Sequence, residues 1–421
     1  MELSRAKGTR DFLPEDKIIR NEIVEILRKT FEKYGFNPLE TPVLERLDIL
    51  SSKYAGGAEI LKETFKLKDQ GGRDLGLRYD LTVPFARVIA MNKGLRIPFK
   101  RYAIGRSFRD GPLKLGRYRE FWQCDVDVVG CKSYVAEVEF MEMVKDVFKK
   151  IGVDVIININ DRRILDAIIE KCGVNKDKIS NVMLVLDKLE KVGVEKVKKE
   201  LSDSLEISDD ICDLLLRYNT CNGSNDDKIK FIGEFIGKNE GIENLKKIFS
   251  EIEGLNYSPE LARGLSYYTG TIFEVFIKES EIKSSVAAGG RYDKMIGDFV
   301  GNNNEYPAVG ISFGLDVIAD ALKERKGRKT VVDIYVVSVG CFDEARKIVS
   351  RFRDGGLNAD IDLLDRGISK NLDYASKSGI KYVLFVGKKE LEAKKVKLKN
   401  MESGEEKVMT VNECFKFLAV N

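Results

Sequence analysis

Apolar residues recur at helical spacing over residues 14–35 (Ile18, Ile19, Ile23, Ile26, Leu27, Phe31, Tyr34), between Pro14 at the start and Gly35 at the stop, so an amphipathic helix is predicted there. Short extended segments with Gly/Pro punctuation follow at 37–45 and 73–85, and a further helix is expected to begin at Pro84 with Thr82 as its candidate cap. Residues 133–150 carry a helical stripe, Val135, Val138, Met141, Val144 and Phe148, suited to a core or an interface. From 161 to 254 the texture becomes a Lys/Glu/Asp-rich helical pattern, broken by NTCNGSNDD at 219–227, and reads as an inserted helical module. Strand-like sequence returns at 259–279 and 284–293, and a glycine-spaced stretch runs from 308 to 322. KERKGRK at 323–329 reads as a basic linker, and beyond it strand and helix patterns alternate as in a small α/β domain. The expected organisation is a mixed α+β core over 1–322 containing the 161–254 insertion, the linker, and a C-terminal domain over 330–421.

Within the core, residues 100–130 read as two strands with charge on one face. Arg101, Ala103, Gly105, Ser107 and Arg109 share a face, as do Arg119, Phe121, Gln123, Asp125 and Asp127, while Trp122, Cys124, Val126 and Val128 point the other way as core. If the strands pair through the turn at Asp110–Gly116, the polar face offers arginines, carboxylates, an amide and a small-residue floor. Such a face suits a ligand with both phosphate and amine character. A solvated antiparallel sheet alternates in the same way, and the hairpin alone leaves both readings open.

Composition narrows the choice. With 43% hydrophobic and 33% charged residues over 421 positions, the chain is neither disordered nor membrane-embedded, and two or three domains are expected. No apolar run has spanning length, the N-terminal MELSRAKGTRDFLPED is too charged for a secretory signal, and the expected address is the cytoplasm. The seven cysteines are scattered without a C-x-x-C pair, which suits buried free thiols better than a disulfide framework or zinc. A net charge of +3 does not announce nucleic-acid binding, so any such role must come from local patches. The chain has no histidine. Imidazole acid/base catalysis, a Ser-His-Asp triad and histidine metal ligation are therefore excluded, and chemistry driven by positioning and charge stabilisation is favoured, such as attack on a phosphate.

Several motifs together resemble the class II histidyl-tRNA synthetases, of the archaeal and eukaryotic type: KGTRDFLP at 7–14, LRYDLTVPFAR at 77–87, GRYREFWQCDVDVVG at 116–130, LARGLSYYTG at 261–270, AAGGRYD at 287–293 and SKNLDYASKSGIKYVLFVG at 369–387. The resemblance implies an antiparallel six-stranded catalytic sheet with helices, a helical insertion that clamps the tRNA acceptor stem, and an α/β anticodon-binding domain. It implies a homodimer that adenylates histidine with ATP and Mg²⁺, releasing pyrophosphate, and passes the acyl group to the 3′ end of tRNA(His); the N-terminal segment and helix 14–35 are plausible interface. By the same resemblance, Arg109 and Arg263 hold the α-phosphate, and Asp80, Thr82 and Gln123 receive the substrate's amino group. Asp127 and Tyr268 bracket the imidazole, with Tyr267 and Tyr292 as lining. Gly289, Gly290 and Gly310 match places where backbone comes close to substrate or ATP. No side-chain metal ligand is identified.

Two positions depart from the pattern. Val317, in GISFGLDVI, stands where the third class II motif usually has an arginine that stacks on adenine, and Arg325 does not replace it. Asp161 follows Asn160 where the family commonly has a histidine. Two other classes are open: a catalytically silent regulatory subunit of ATP phosphoribosyltransferase, and a nucleic-acid-binding or amino-acid-sensing module without chemistry.

Overall fold

The computed structural model describes residues 3–51, 61–113, 116–263, 267–301, 304–323, 327–364 and 366–420. Positions 264–266 of the RGLSYYTG motif, Arg325 and part of the basic linker lie outside them. The chain divides into two compact units, Met1–Arg10 with Ile23–Leu322, and Asp11–Glu22 with Lys323–Asn421.

The first unit contains β1 (Asn37–Pro38), β2 (Leu44–Arg46), β3 (Lys66–Lys68), β4 (Asp74–Leu77), β5 (Phe99–Phe108), β6 (Glu120–Val129), β7 (Val155–Asp161), β8 (Leu255–Tyr257), β9 (Thr271–Ile277), β10 (Ala287–Arg291) and β11 (Ala308–Gly314). Eight of these form one sheet in the order β1-β5-β6-β11-β10-β9-β7-β8, and β2, β4 and β3 form a small second sheet. The six central strands of the large sheet are antiparallel to their neighbours, as the resemblance implies, and one short parallel strand lies at each edge. One face of this sheet is apolar. Cys124, Val126 and Phe313 are buried there, and Phe31, from helix Pro14–Lys33, packs its ring 5.6 Å from that of Phe313. Helix Val135–Ile151 buries Phe140, Met141, Val144 and Phe148, close to the expected stripe.

Two local expectations change. The helix near Pro84 spans Thr82–Met91, so Thr82 lies inside it and the capping acceptor is Asp80, whose Oδ1 takes the Val83 N–H at 3.0 Å. Among the described residues of 259–279, strand structure is confined to Thr271–Ile277. Ahead of it, the Pro259 and Leu261 carbonyls are bonded by the Asn160 side chain at 3.1 and 2.9 Å rather than by a neighbouring strand. The helical module runs between β7 and β8, from helix Arg162–Lys171 to helix Glu240–Glu251. Asp161 is buried at its entry, where it caps helix Arg162–Lys171 and accepts from the Arg163 guanidinium and the Thr271 hydroxyl. A histidine could not supply that pair of carboxylate oxygens.

Arg291, from the AAGGRYD motif, ties the end of β10 to helix Val135–Ile151 through a two-pronged bond to buried Glu137, both contacts at 2.7 Å, and donates to the Cys131 carbonyl at 2.9 Å. Removing one member of a buried pair leaves the other charge uncompensated. Arg291→Met is expected to cost about 3–5 kcal/mol of unfolding free energy in urea titration. Arg28→Met, which breaks an exposed pair with Glu25, is expected to stay within about 1 kcal/mol.

Candidate functional site

The polar face of the large sheet is built by register. Residues paired across antiparallel strands point to the same side, so Arg101, Asp127, Gly310 and Gly290 form one row across β5, β6, β11 and β10. Ala103, Asp125, Ser312, Ala288 and Glu274 form the next, and Gly105, Gln123 and Gly314 a third. This face is not solvated: Arg101 and Ser107 are 0% exposed, and Asp125 and Asp127 are 2% exposed. A buried row of opposite charges must be paired, and the pairing defines the site.

Arg101 lies opposite Asp127, its Nη2 2.7 Å from Asp127 Oδ2, while the Tyr292 hydroxyl donates to Asp127 Oδ1 at 2.5 Å. Burial pushes the Asp127 carboxyl up, and Arg101 and Tyr292 pull it back. Gly310 is what lets the carboxylate lie flat on the sheet, because a Cβ there would stand 2.0 Å from Asp127 Oδ1. The space expected for substrate or ATP at Gly310 is thus taken by a side chain of the protein. Gly289 faces the opposite, apolar side, where a Cβ would meet the Gly310 carbonyl and the Phe273 ring; Gly290 makes room for the ring of Tyr268. Asp125, next on the strand face, is pushed up to about 7 by burial, with Asp127 adding to the shift and Arg101 opposing it. Gln123 donates to Ser312 Oγ at 3.0 Å, leaving its Oε1 buried without a hydrogen-bond partner.

Residues 78–82 run beside β5 and are held to it through their carbonyls. The Phe108 N–H bonds the Arg78 carbonyl at 3.0 Å, Arg109 Nε bonds that of Tyr79 at 3.0 Å, and Arg101 Nη2 bonds that of Leu81 at 3.1 Å. Gly105 is required for this approach, since a Cβ there would lie 2.5 Å from Arg78 Nη2. The Asp80 carboxyl, buried and close enough to Arg109 to feel its charge, is pushed up to about 6 chiefly by burial. Thr82, the first residue of helix Thr82–Met91, is half-buried.

From the other side come Arg263, Tyr267 and Tyr268. Arg263 pairs with Glu274 of the second row and stands 5.7 Å from the Tyr268 ring, with its Nε buried and without a hydrogen-bond partner. The Tyr267 ring lies 4.7 Å from that of Tyr268 and 6.0 Å from that of Tyr292. The described site residues therefore form one neighbourhood with two ends: a carboxylate among phenols around Asp127, with Arg263 beside Tyr268, and Arg109 beside Asp80, while Tyr267 lies close enough to both arginines to feel their charge. Val317 stands apart from both, packed against Gly116 and Gly314. The neighbouring cation Arg10 is neutralised by Asp316 at 2.6 Å and Asp320 at 2.9 Å and stacked 3.5 Å from the Tyr118 ring centroid.

Sequence reasoning gave no role to Arg101, Ser312 or Glu274, and it left Tyr292 as lining. The hairpin register was the available signal for Arg101: reflecting the chain about position 114 places residue 101 on residue 127. The links to Ser312, Glu274 and Tyr292 cross from distant parts of the chain and had no local signal.

In the second unit, β12 (Ile334–Val339), β13 (Ala359–Ile361), β14 (Tyr382–Gly387), β15 (Val396–Asn400) and β16 (Glu406–Met409) form a sheet of order β13-β12-β14-β15-β16, in which the first three strands are parallel. The chain leaves β12 to one side and crosses to the other, so the carboxyl ends of these strands frame a switch point, the usual place for a ligand in such sheets. There Asp362 accepts from the N–H groups of Leu364 and Arg366 and from the side chains of Arg366 and Asn371. This pins a turn on which Leu363 and Leu364 are 80% and 73% exposed. Lys388 and Lys389 follow β14 at the same rim and are exposed.

Two family models cover the chain, one of them including the residues 11–22 that cluster with the second unit. Residues 8–318 match the family model for histidyl-tRNA synthetase, and residues 331–421 match that for the anticodon binding domain. A histidine–tRNA ligase 1 of Bacillus cereus is 42% identical over 428 aligned positions, covering 99% of this chain and 100% of that protein. The histidine–tRNA ligase of Clostridium tetani is 34% identical, covering 98% of this chain and 97% of the relative. The crystal structure of the histidyl-tRNA synthetase from Nostoc sp. PCC 7120 superposes with a TM-score of 0.87 at 28% identity, covering 100% of this chain and 99% of that one. A structure from Bacillus halodurans, described as an ATP phosphoribosyltransferase regulatory subunit/histidyl-tRNA synthetase, shares the fold at a TM-score of 0.75 and 21% identity, over 92% of this chain and 99% of that one. Since one family model spans the whole sheet that carries the paired rows of charge, and relatives of that kind match from end to end, the chain belongs to the histidyl-tRNA synthetase family.

Proposed function

We propose that the chain is a histidine–tRNA ligase that works in the cytoplasm on histidine, MgATP and tRNA(His). The observation that carries this reading is the convergence, on one buried sheet face, of a carboxylate fixed among phenols with two arginines that approach from opposite sides. Among the described residues no helix is long and apolar enough to cross a membrane.

In this reading the substrate's ammonium is received by Asp80, Thr82 and Gln123, whose free Oε1 is an acceptor awaiting a donor. The imidazole is read by Asp127 and Tyr268. A side chain without ring nitrogens would leave these buried polar groups unpaired, which is how a site rejects near-isosteres. The carboxylate oxygen of histidine attacks the α-phosphorus of ATP; a new acyl–phosphate bond forms as the bond to pyrophosphate breaks. Arg109 and Arg263 stabilise the charge that builds on the phosphoryl oxygens. The terminal hydroxyl of tRNA then attacks the acyl carbon and AMP leaves. Gly310 serves the histidine end, by admitting Asp127, more than the ATP end. Mg²⁺ enters with ATP as part of that substrate.

The second unit, with its pinned leucines and rim lysines, suits the unpaired bases and phosphates of an anticodon loop. Of the basic residues along β15 and β16, Lys397 and Lys399 pair with Glu406, and Lys407 with Glu405. Lys388 and Lys389 are therefore the better candidates for phosphate. We also propose a homodimer. Leu44, Leu67, Leu75 and Leu77 share one face of the small sheet by register, and Leu44 is 51% exposed, an apolar face of the kind a second copy covers.

ATP–pyrophosphate exchange should appear only when histidine is added, and Arg263→Ala should lower its rate by on the order of 10²-fold. Exchange with no amino acid would favour the regulatory-subunit reading instead.

The histidine KM should rise as pH falls through about 6, because Asp80 becomes protonated there and loses its attraction for the ammonium. Histidine's own imidazole titrates nearby, so Asp80→Asn is the reference: its KM should be high throughout, with this limb flattened. An unchanged limb in Asp80→Asn would remove Asp80 from amine binding.

Charging should weaken steeply with salt as counterions are released, and Lys388→Ala with Lys389→Ala should reduce that salt slope by about 2 while leaving exchange intact. An unaltered slope would place tRNA phosphate contacts elsewhere.

A further inference from the structure

A cation at the base of the amino-acid pocket has no part in the proposed chemistry. Arg101 is 0% exposed, its guanidinium carbon stands 4.3 Å from the centroid of the Phe85 ring, and its Nε and Nη1 have no hydrogen-bond partner. A buried cation is expensive unless something requires it. Its Nη2 makes two contacts, with the Leu81 carbonyl at 3.1 Å and with Asp127 Oδ2 at 2.7 Å. These belong to opposite ends of the pocket. Leu81 lies between Asp80 and Thr82, which receive the amine, and Asp127 receives the ring.

We propose that Arg101 is a positioning residue for substrate selection, bridging the 80–82 backbone and the Asp127 carboxylate so that it fixes the distance between amine recognition and ring recognition. The inference rests on the reading of Asp127 as the imidazole acceptor. A rigid planar fork suits the task better than an ammonium, which is a point charge on a flexible stem. Asp127 is also held by Tyr292 at 2.5 Å and by the open space over Gly310, so its carboxylate has one place to go once Arg101 is present. The charged and titratable groups facing Asp127 are Arg101 from β5, Asp125 from its own strand and Tyr292 from beyond β10; Arg101 is the cation among them. Arg78 and Asp80 act on Asp125 rather than on Asp127, so without Arg101 the Asp127 carboxylate would lose the cation against it and would protonate more readily.

The test uses the full-length protein in pyrophosphate exchange with histidine and with homohistidine, which is longer by one methylene. Arg101→Met should raise the histidine KM by roughly 10²-fold, as for removal of one partner of a buried charge pair, with little change in the ATP KM. It should also narrow the preference for histidine over homohistidine, and move the acid limb of kcat/KM for histidine to higher pH than in the unsubstituted protein. Arg101→Lys, which keeps the charge and loses the fork, should restore the pH limb while leaving the length preference narrowed. If Arg101→Met does not fold, Arg101→Lys and the double variant Arg101→Met with Asp125→Asn, which removes one carboxylate with the cation, carry the length measurement. Loss of histidine and ATP binding in parallel, or an unaltered length preference in a folded variant, would overturn the proposal. Asp127→Asn separates the two layers. If it leaves the histidine KM unchanged, the reading of Asp127 fails; if it raises that KM while Arg101→Met does not, only the role of Arg101 fails.

Discussion

Charge buried on a sheet face must be matched within reach of a side chain, and the catalytic unit is arranged around one such match, Arg101 with Asp127. The pair works only because neighbouring positions yield to it. Gly310 gives up its Cβ so that the carboxylate can lie against the strand, and Gly290 does the same for the Tyr268 ring. The Tyr292 hydroxyl occupies the second carboxylate oxygen. The same guanidinium reaches the Leu81 carbonyl and so fixes the segment from which helix Thr82–Met91 starts. Small residues, a phenol and a helix start are thus consequences of one desolvated ion pair, and altering any of them changes the environment of the others.

Alternation made one face of the hairpin visible in the sequence. It could not say whether that face was wet, since solvated and ligand-binding faces alternate alike. Burial decided the matter, and burial depends on elements such as the 78–82 segment and the tyrosines near 267 and 292, which approach from elsewhere in the chain. The helices over 14–35 and 133–150 were readable because many apolar residues repeat one spacing. The start of the helix near Pro84 was misread because Thr82 and Asp80 are both good caps, and only geometry chooses between them. The strand expected over 259–279 shrank because an asparagine side chain replaced a strand as partner for two carbonyls, a substitution that leaves no periodic trace. Family motifs located Arg109, Arg263 and Tyr268, for which spacing alone offered no specific role.

Val317 shows how a departure from a motif is absorbed. The side chain packs against Gly116 and Gly314, and the nearby cation Arg10 is fully engaged with Asp316, Asp320 and Tyr118. The helix start is therefore stabilised by charges directed to the N-terminal segment, with no arginine at 317 to share them.

The helical module leaves the large sheet at the end of β7 and returns in β8, its parallel neighbour at the sheet edge, where the Asn256 side chain bonds that of Asn158 at 2.8 Å. Departure and re-entry points are thus side by side, and the free energy of closing such an excursion grows only logarithmically with its length. Evolution can lengthen, shorten or exchange the module with little strain on the sheet, provided Asp161 still terminates the departing strand. The module that the resemblance assigns to the acceptor stem can thus diversify at a different pace from the pocket that selects the amino acid.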